Sequence, residues 1–286
     1  MNIKAIITLT CLLQLSPMAA SAIIFDLGQV LMYSSRTQVL NTIGLGTLAR
    51  YSLFDNPCTI EHEFLSFLED IKAPQEEQIG WLNNTRRLPQ VMYEWLNGSL
   101  RSKDIMLLVQ EHARQCNKDD EHIRVITALA HAIFTPSLLA QSFVPCQEAI
   151  ALVNLCKKLG HKVYVLSNLD TETYECLRDL HPKFWKLFDG VLISGTVGYI
   201  KPDPRIYQCA LKHFDIDPKD AVFIDDTRHN VLSAEKLGIF GIICKQYRSG
   251  LNTIPYIRHT SNAVKMWLDA QRFKKKHALN RLLHTP

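Results

Sequence analysis

Three short polar stretches each stand directly after an apolar run, and a fourth follows a predicted strand by several residues. Together their side chains could transfer a phosphoryl group. The stretches are 26–28, 167–168, 201–204 and 225–226. Phosphoryl transfer to a protein carboxylate needs a nucleophile, positive charge beside the phosphate oxygens and a metal ion. An aspartate, a Ser-Asn pair, a lysine and an acid pair are residue types that can supply these functions.

Asp26 is the candidate nucleophile. It follows the apolar residues Ile23-Ile24-Phe25, and Gly28 stands two positions further on. This pattern is typical of a buried parallel strand that delivers one carboxylate to the end of a sheet and then turns sharply. Taken alone, Asp26 could equally cap a turn.

Ser167, Asn168 and Lys201 are candidates for holding the phosphate. A hydroxyl and backbone N–H groups at 167–168 can bind phosphate oxygens, although a polar turn at a strand end is the plain alternative. The ammonium group of Lys201 would offset the charge of the nucleophile and of the phosphoryl group. Lysines are usually surface residues, but the Lys-Pro-Asp-Pro stretch after a predicted strand favours a functional role.

Asp225 and Asp226 end another apolar run and form the strongest signal. Two adjacent acids repel each other, and a bound cation removes that cost. Oxygen ligands beside a phosphate indicate Mg²⁺. The alternative is an acidic cap on the following helix. Arg228 and His229 follow closely enough to reach a substrate, although a surface or packing role is more common for such residues.

Taken together, the four stretches resemble the haloacid dehalogenase superfamily of phosphotransferases, in particular its subfamily IA. The resemblance implies that Asp26 forms an aspartyl-phosphate, which is later hydrolysed, and that Lys201 assists it. It also implies that Asp26, the backbone carbonyl of Gly28 and Asp226 bind Mg²⁺, with Asp225 acting directly or through water.

The sequence departs from the family pattern at Gly28. Most phosphatases of the family carry there an aspartate that protonates the leaving oxygen and then activates water. The stretch Asp-Leu-Gly-Gln-Val instead resembles a subgroup with Asp-x-Gly-Asn-Val, which includes phosphatases acting on anomeric sugar phosphates. An anomeric oxygen is a better leaving group than a simple alcohol and depends less on an acid.

Two functions follow from this reading. We expect a Mg²⁺-dependent phosphatase that acts on a small phosphomonoester, a sugar phosphate being one candidate. The alternative is a catalytically weakened relative that binds phosphate, because Gly28 supplies no acid. The acid pair argues against a metal-free dehalogenase, and Gly28 argues against a phosphomutase.

The pattern of elements predicts an α/β protein with a Rossmann-like doubly wound parallel sheet and an inserted helical cap. Short apolar strands alternate with amphipathic helices from residue 145 onward. Residues 23–34 and 145–250 are the predicted core. Residues 35–144 show helical spacing with no strand pattern and are the predicted cap, and 251–286 are a basic, helical tail. The last predicted strand is 241–244.

Residues 1–22 have the pattern of a secretory signal. Lys4 precedes an apolar run at 5–15, and Ala20-Ser21-Ala22 fits a cleavage site. The run is too short to cross a bilayer as a helix. We therefore expect a periplasmic or secreted protein. A buried N-terminal helix or strand in a cytoplasmic protein is the alternative.

Composition adds few constraints. The net charge of +4 is ordinary, and we find no nucleic-acid-binding motif. The expected partner is a small phosphate ester, with membrane contact only through the signal or weakly through the basic tail. The eight cysteines show no zinc spacing. The sequence is compatible with a disulfide among Cys58, Cys116 and Cys146 but does not predict one.

Overall fold

A five-stranded parallel sheet is the centre of the molecule. The computed structural model describes residues 21–43, 57–72, 81, 86–116, 120–249 and 252–283. In chain order the strands are β1 (Ala22–Phe25), β2 (Met32–Ser34), β3 (Phe143–Pro145), β4 (Lys162–Ser167), β5 (Gly190–Ile193), β6 (Ala221–Asp225), β7 (Phe240–Ile243), β8 (Gln246–Ser249) and β9 (Asn252–Pro255). The sheet order is β5-β4-β1-β6-β7, which confirms the predicted doubly wound α/β fold.

Helices cover both faces of the sheet and form most of the described part of the segment between β2 and β3. They are α1 (Arg36–Ile43), α2 (Pro57–Glu69), α3 (Gln90–Leu96), α4 (Ser102–Gln115), α5 (Asp120–Phe134), α6 (Pro136–Ser142), α7 (Gln147–Lys158), α8 (Thr171–Leu180), α9 (Pro182–Trp185), α10 (Ser194–Val197), α11 (Pro204–His213), α12 (Arg228–Glu235) and α13 (Ile257–Leu283). A short 3₁₀ turn covers Pro218–Asp220.

The central position of β1 explains its apolar composition. Successive strand residues face opposite sides of a sheet. Ile23 and Phe25 pack into the core on one face, and Ile24 packs on the other face with Tyr207 and Phe223. The strand order reverses at β1, which has β4 on one side and β6 on the other. Ligands of such sheets bind at the carboxyl ends of the strands where the order reverses.

The helices between β2 and β3 have an apolar core of their own. It contains buried residues of α2 to α5, among them Phe67, Trp95 and Phe134. Among the described residues, Ile200 is the buried member that comes from outside the helical segment. Because Ile200 immediately precedes Lys201, this helical core sits directly on the predicted site.

Two predictions about strands are wrong. β3 lies within the stretch that was expected to be free of strands, and it pairs antiparallel with β2. β8 and β9 form a hairpin after the strand that was expected to be the last one. All four residues of β8 are exposed, so it lacks the alternation of a half-buried strand. The hairpin is positioned by tertiary packing instead, because β9 lies beside β2.

The C-terminal helix begins at Ile257, within the segment 251–286 that was predicted to be a helical tail. The residues before it, Asn252–Pro255, form β9 instead. Val264, Trp267 and Leu268 are buried in the same core as Ile23 and Phe25. The first half of this basic helix is therefore docked on the sheet domain.

The predicted signal falls almost entirely outside the described residues. Its last two residues, Ser21 and Ala22, are buried, and the carbonyl of Ser21 accepts a hydrogen bond from the Lys162 N–H at 3.2 Å. Ala22 pairs with Lys162 and Ala221. Cleavage after Ala22 would remove the first residue of the central strand.

The cysteines with described side chains are free thiols: Cys116, Cys146, Cys156, Cys176, Cys209 and Cys244. Cys116 and Cys146 are therefore not joined in a disulfide, and the side chain of Cys58 lies outside the described residues.

No single helix in the described part of the chain is both long and apolar enough to span a bilayer. His122–Phe134 and Pro136–Ser142 meet that measure only when taken together, and they bend by 82° at their junction.

Gly98 lies where the helical segment touches the sheet domain. It has φ +84°, and an added Cβ would lie 2.5 Å from the carbonyl oxygen of Gly195. Next to it, the Ser194 hydroxyl donates a 2.6 Å hydrogen bond to the carbonyl of Leu96. The two backbones approach so closely that no side chain fits between them.

We expect Gly98→Ala to lower the free energy of unfolding by about 2 kcal/mol or more, because it adds a steric clash to an unfavourable positive φ. Gly160→Ala is the matched control, since Gly160 has φ +82° and a Cβ added there would meet no described atom within 4 Å. It should cost only the backbone strain, about 1 kcal/mol. Urea unfolding measures the free energy of unfolding of both variants. An equal decrease in the two variants would contradict the steric clash at Gly98.

Candidate active site

Lys201 is the hub of the site. Its Nζ lies 2.7 Å from Asp26 Oδ1 and 2.7 Å from Asp225 Oδ2, and it donates a 3.1 Å hydrogen bond to the carbonyl of Leu166. An ammonium group has three donors, so all of them are engaged. The side chain is 1% exposed, and the ring of Phe223 lies below it, 5.4 Å from Nζ to the centroid. The carboxyl ends of three different strands, β1, β4 and β6, thus converge on one buried amine.

The backbone places Asp26 at the edge of the sheet. Its N–H donates a 2.8 Å hydrogen bond to the carbonyl of Ile224, which continues the ladder between β1 and β6 by one residue. Its Oδ1 accepts a 2.7 Å hydrogen bond from the N–H of Leu27. The carboxylate is therefore held beside the end of β6, where Asp225 and Asp226 stand.

Both oxygens of Asp225 are fully used. Oδ1 accepts hydrogen bonds from the Thr227 N–H and the Asn230 amide, at 2.8 and 3.0 Å, and Oδ2 accepts from the Asn230 amide at 3.1 Å as well as from Lys201. The residue is completely buried. Asn230 is itself held, because its carbonyl accepts a 2.8 Å hydrogen bond from the hydroxyl of Tyr207. These contacts favour a role for Asp225 in fixing Lys201.

The three acids are close enough to share a cation. One carboxylate oxygen from each of Asp26, Asp225 and Asp226 lies within 4.8 Å of the others. Asp226 is only partly buried, and its Oδ2 accepts a 2.7 Å hydrogen bond from the side-chain amide of Gln246 on β8. An all-oxygen, three-carboxylate donor set fits a hard divalent cation such as Mg²⁺.

Burial and mutual repulsion destabilise the charged forms of these acids. Burial raises the pKa of Asp26 to about 6; the charge of Lys201 counteracts this effect and that of Asp225 adds to it. Burial, followed by the charges of Asp225 and Asp26, raises the pKa of Asp226 well above its usual range. Burial lowers the pKa of Lys201, but the two adjacent carboxylates outweigh it and the net shift is upward. The site therefore favours additional positive charge.

Asn168 positions the lysine loop. Its Oδ1 accepts a 2.7 Å hydrogen bond from the backbone N–H of Lys201, and its Nδ2 donates a 3.0 Å bond to the carbonyl of Lys201. The side-chain amide is thus committed, and any contact of Asn168 with phosphate falls to its main chain. Ser167 is the buried last residue of β4. Its role in binding phosphate stays a prediction.

Gly28 stands beside open space. A Cβ added at Gly28 would meet no atom of the described residues within 4 Å. The absence of an acid at this position is therefore not imposed by crowding.

Several site residues carry too weak a signal to be singled out from the sequence. Gln246, which contacts Asp226, lies in the unpredicted hairpin. In the sequence Tyr207 looks like an ordinary core aromatic residue, and only the structure shows that its hydroxyl donates a hydrogen bond to the carbonyl of Asn230. Trp81 lies in the helical segment, and its ring stacks on His229 with the centroids 3.9 Å apart.

Comparison with known proteins gives a family match over most of the chain. The family model described as haloacid dehalogenase-like hydrolase matches residues 20–238. The sesquiterpene phosphatase astK of Aspergillus oryzae is 33% identical over 98 residues, 34% of this chain and 50% of that protein. The pyrophosphatase PpaX of Bacillus cereus is 30% identical over 82 residues, 29% of this chain and 38% of that protein. The chain therefore matches half or less of the length of these relatives.

Solved structures of the same fold extend further along the chain. A HAD family enzyme of Bacteroides thetaiotaomicron, solved as a mutant in complex with magnesium and inorganic phosphate, superposes with a TM-score of 0.52. The alignment covers 82% of this chain and 98% of that chain at 18% identity. At this identity the similarity concerns the fold.

Removing the buried amine leaves two buried carboxylates without a compensating positive charge. With metal chelated, we expect Lys201→Met to lower the free energy of unfolding at pH 7 by about 3–5 kcal/mol. Without the lysine, the pKa of Asp26 rises further above 3.8, its ordinary value. A carboxyl group whose folded pKa is raised loses stability as the pH rises towards that folded pKa. The deficit should therefore shrink between pH 7 and pH 5.

Urea unfolding at the two pH values measures this change. Lys219→Met is the control, because the Lys219 side chain is 85% exposed, and it should change stability by no more than about 0.5 kcal/mol. A Lys201→Met deficit of the same size at both pH values would argue against unpaired buried carboxylates.

Proposed function

Because the chain belongs to the haloacid dehalogenase-like hydrolase family, we propose that it is a Mg²⁺-dependent phosphatase acting on a small phosphomonoester. The observation that carries the proposal is the buried Lys201 amine between Asp26 and Asp225, with Asp226 at the same edge of the sheet. This arrangement places a carboxylate that can act as a nucleophile directly beside a compensating positive charge.

The residues have distinct roles in the proposed reaction. A carboxylate oxygen of Asp26 attacks phosphorus, the bond to the leaving oxygen breaks, and an aspartyl-phosphate forms. Water then cleaves this intermediate and releases phosphate. Lys201 offsets negative charge as it develops, and Asp225 and Asn168 keep Lys201 in place. Ser167 and the main chain at Asn168 bind the phosphate oxygens.

Asp26, the backbone carbonyl of Gly28 and Asp226 would hold the metal ion. Once bound, Mg²⁺ would neutralise phosphate charge and orient the ester. Asp225 is less suited as a direct ligand, because both of its oxygens already accept hydrogen bonds.

The missing acid at Gly28 restricts the range of candidate substrates. We assign the chain to the subfamily IA group with Asp-x-Gly-Asn-Val in the first motif, and we place an anomeric sugar phosphate first among candidate substrates. The physical reason is that an ester with a good leaving group needs an acid least. Glucose 1-phosphate should then be hydrolysed faster than glucose 6-phosphate, and the reverse order would remove this assignment.

The same glycine supports a second candidate function. A chain that keeps the lysine and the acids but has no group to protonate the leaving oxygen could bind phosphate and metal without turnover. The names of the fungal and bacterial relatives weigh towards turnover, because both are phosphatases or pyrophosphatases.

Two further properties are also proposals. The helical segment 35–144 acts as a cap that excludes water and selects the substrate, which the packing of Ile200 into its core supports. The pattern of residues 1–22 supports a location outside the cytoplasm, and N-terminal sequencing of protein from its native host would detect cleavage.

Metal-dependent turnover tests the proposed activity directly. Purified protein should hydrolyse 4-nitrophenyl phosphate with Mg²⁺ and lose activity with EDTA, and Asp26→Asn should lower kcat at least 10³-fold, because an amide is a far poorer nucleophile. Lys219→Met is the matched surface control and should retain full activity. Binding of phosphate without turnover on several esters would favour the second candidate function.

An acid introduced at position 28 tests whether the missing general acid limits turnover. The open space at Gly28 accommodates a side chain, so Gly28→Asp should fold and supply an acid beside Asp26. We expect kcat to rise about tenfold or more on a simple alkyl phosphate, whose leaving group needs protonation. A much smaller rise is expected on 4-nitrophenyl phosphate. Gly28→Asn controls for side-chain size, and an equal gain in Gly28→Asn would contradict an acid role.

A further inference from the structure

Two buried polar atoms without partners belong to residues that each follow one of the adjacent strands β1 and β6 by four positions. They are Gln29 Oε1 and His229 Nδ1, and neither has a hydrogen-bond partner among the residues that the structure describes. Gln29 is next to Gly28, whose α-carbon borders open space. Both residues thus stand at the edge of the sheet that carries Asp26 and Asp226.

Gln29 adopts an unusual backbone conformation. Its φ is +57°, in the left-handed region that normally favours glycine. A glutamine at this position gives up backbone stability and also leaves a buried amide oxygen unpaired. Both costs are accounted for if the amide oxygen contacts a ligand.

His229 is held in place by an aromatic ring from the helical segment. It lies on the first turn of α12, three residues after Asp226, and Trp81 stacks on its ring at 3.9 Å with an angle of 6° between the planes. The stack fixes the plane of the imidazole while Nδ1 remains without a partner. Nδ1 can donate or accept a hydrogen bond according to the tautomer.

We propose that Gln29 and His229 are specificity-determining residues that bind the leaving group of the ester in the space beside Gly28. Trp81 is a positioning residue that fixes His229. An amide oxygen accepts hydrogen bonds, so its ligand must bring a donor. The leaving group is therefore a hydroxylated one, such as a sugar or polyol, and not an isoprenyl chain. This inference rests on the proposed phosphatase function.

A hydroxylated leaving group would satisfy both buried atoms, whereas an apolar one would leave them unpaired. Sites that hydrogen-bond a substrate hydroxyl discriminate strongly against analogues that lack it. An apolar ester would be stabilised by burial of its apolar surface. It would, however, leave Gln29 Oε1 and His229 Nδ1 buried without hydrogen bonds, which costs binding free energy.

The experiment compares substrates within each variant. Glucose 1-phosphate represents the hydroxylated class, and phenyl phosphate and a fifteen-carbon isoprenyl monophosphate represent esters without hydroxyl groups. Gln29→Gly suits the positive φ and removes the amide, so it should fold at least as stably as the original chain. His229→Phe keeps a ring for Trp81 and removes Nδ1. His213→Phe, on an exposed residue, is the matched control.

The measured quantity is the ratio of kcat/KM for glucose 1-phosphate to kcat/KM for each other ester. We expect Gln29→Gly and His229→Phe each to lower this ratio about tenfold or more, and His213→Phe to leave it unchanged. Unfolding curves verify that the variants are folded. If Gln29→Gly folds and keeps the original ratio, the proposed contact is overturned, whatever His229→Phe does.

The same measurements separate this inference from its premise. No metal-dependent turnover of any ester by the original chain would overturn the proposed phosphatase function. Turnover in which the isoprenyl ester is preferred would leave that function standing and would overturn the hydroxylated leaving group.

Discussion

One buried ammonium group holds the site together. Lys201 is surrounded by Asp26, Asp225 and the carbonyl of Leu166 and is almost inaccessible to water. Burying a lysine is costly unless its charge is compensated, and here two carboxylates and a carbonyl compensate it. The reverse also holds, because the acids tolerate burial only in the presence of the amine. Losing any one of the three groups would therefore leave buried charge without full compensation.

The fold makes this arrangement possible by topology. β1 lies in the middle of the sheet, so the loop after it is flanked by the ends of β4 and β6. Leu166 lies near the end of β4 and Asp225 at the end of β6, and Lys201 enters from the loop that follows β5 and α10. A second layer of contacts then locks the charged groups: Asn168 holds the backbone of Lys201, and Asn230, itself held by Tyr207, holds Asp225.

The helical segment is firmly joined to this site. Gly98 and Gly195 approach each other without room for a side chain, Ile200 enters the helical core, and Trp81 stacks on His229. Ile200 directly precedes Lys201, and His229 follows Asp226 by three residues, so a change in the helical packing would displace residues beside the buried amine and the acids. The backbone at Gly28, two residues after Asp26, borders open space.

Local patterns in the sequence were enough to predict the strands of the sheet and the candidate site residues that follow them. Apolar runs that end in polar residues predicted β1, β4, β5 and β6 closely, because strands buried on both faces leave little choice of side chain. The acids and the lysine were identifiable from their position after these strands. By contrast, the hairpin 246–255 was missed, since the exposed β8 has no apolar face and is stabilised by contacts far away in the chain.

The folded structure was needed to identify the hydrogen-bond partners of these residues. The sequence does not reveal that the amide of Asn168 is spent on the backbone of Lys201, that Asp225 serves the lysine, or that Gln246 reaches Asp226. It also does not reveal that Trp81 meets His229 across a separation of well over a hundred residues. Local patterns record burial and secondary structure, whereas hydrogen bonds between distant segments depend on how the whole chain packs.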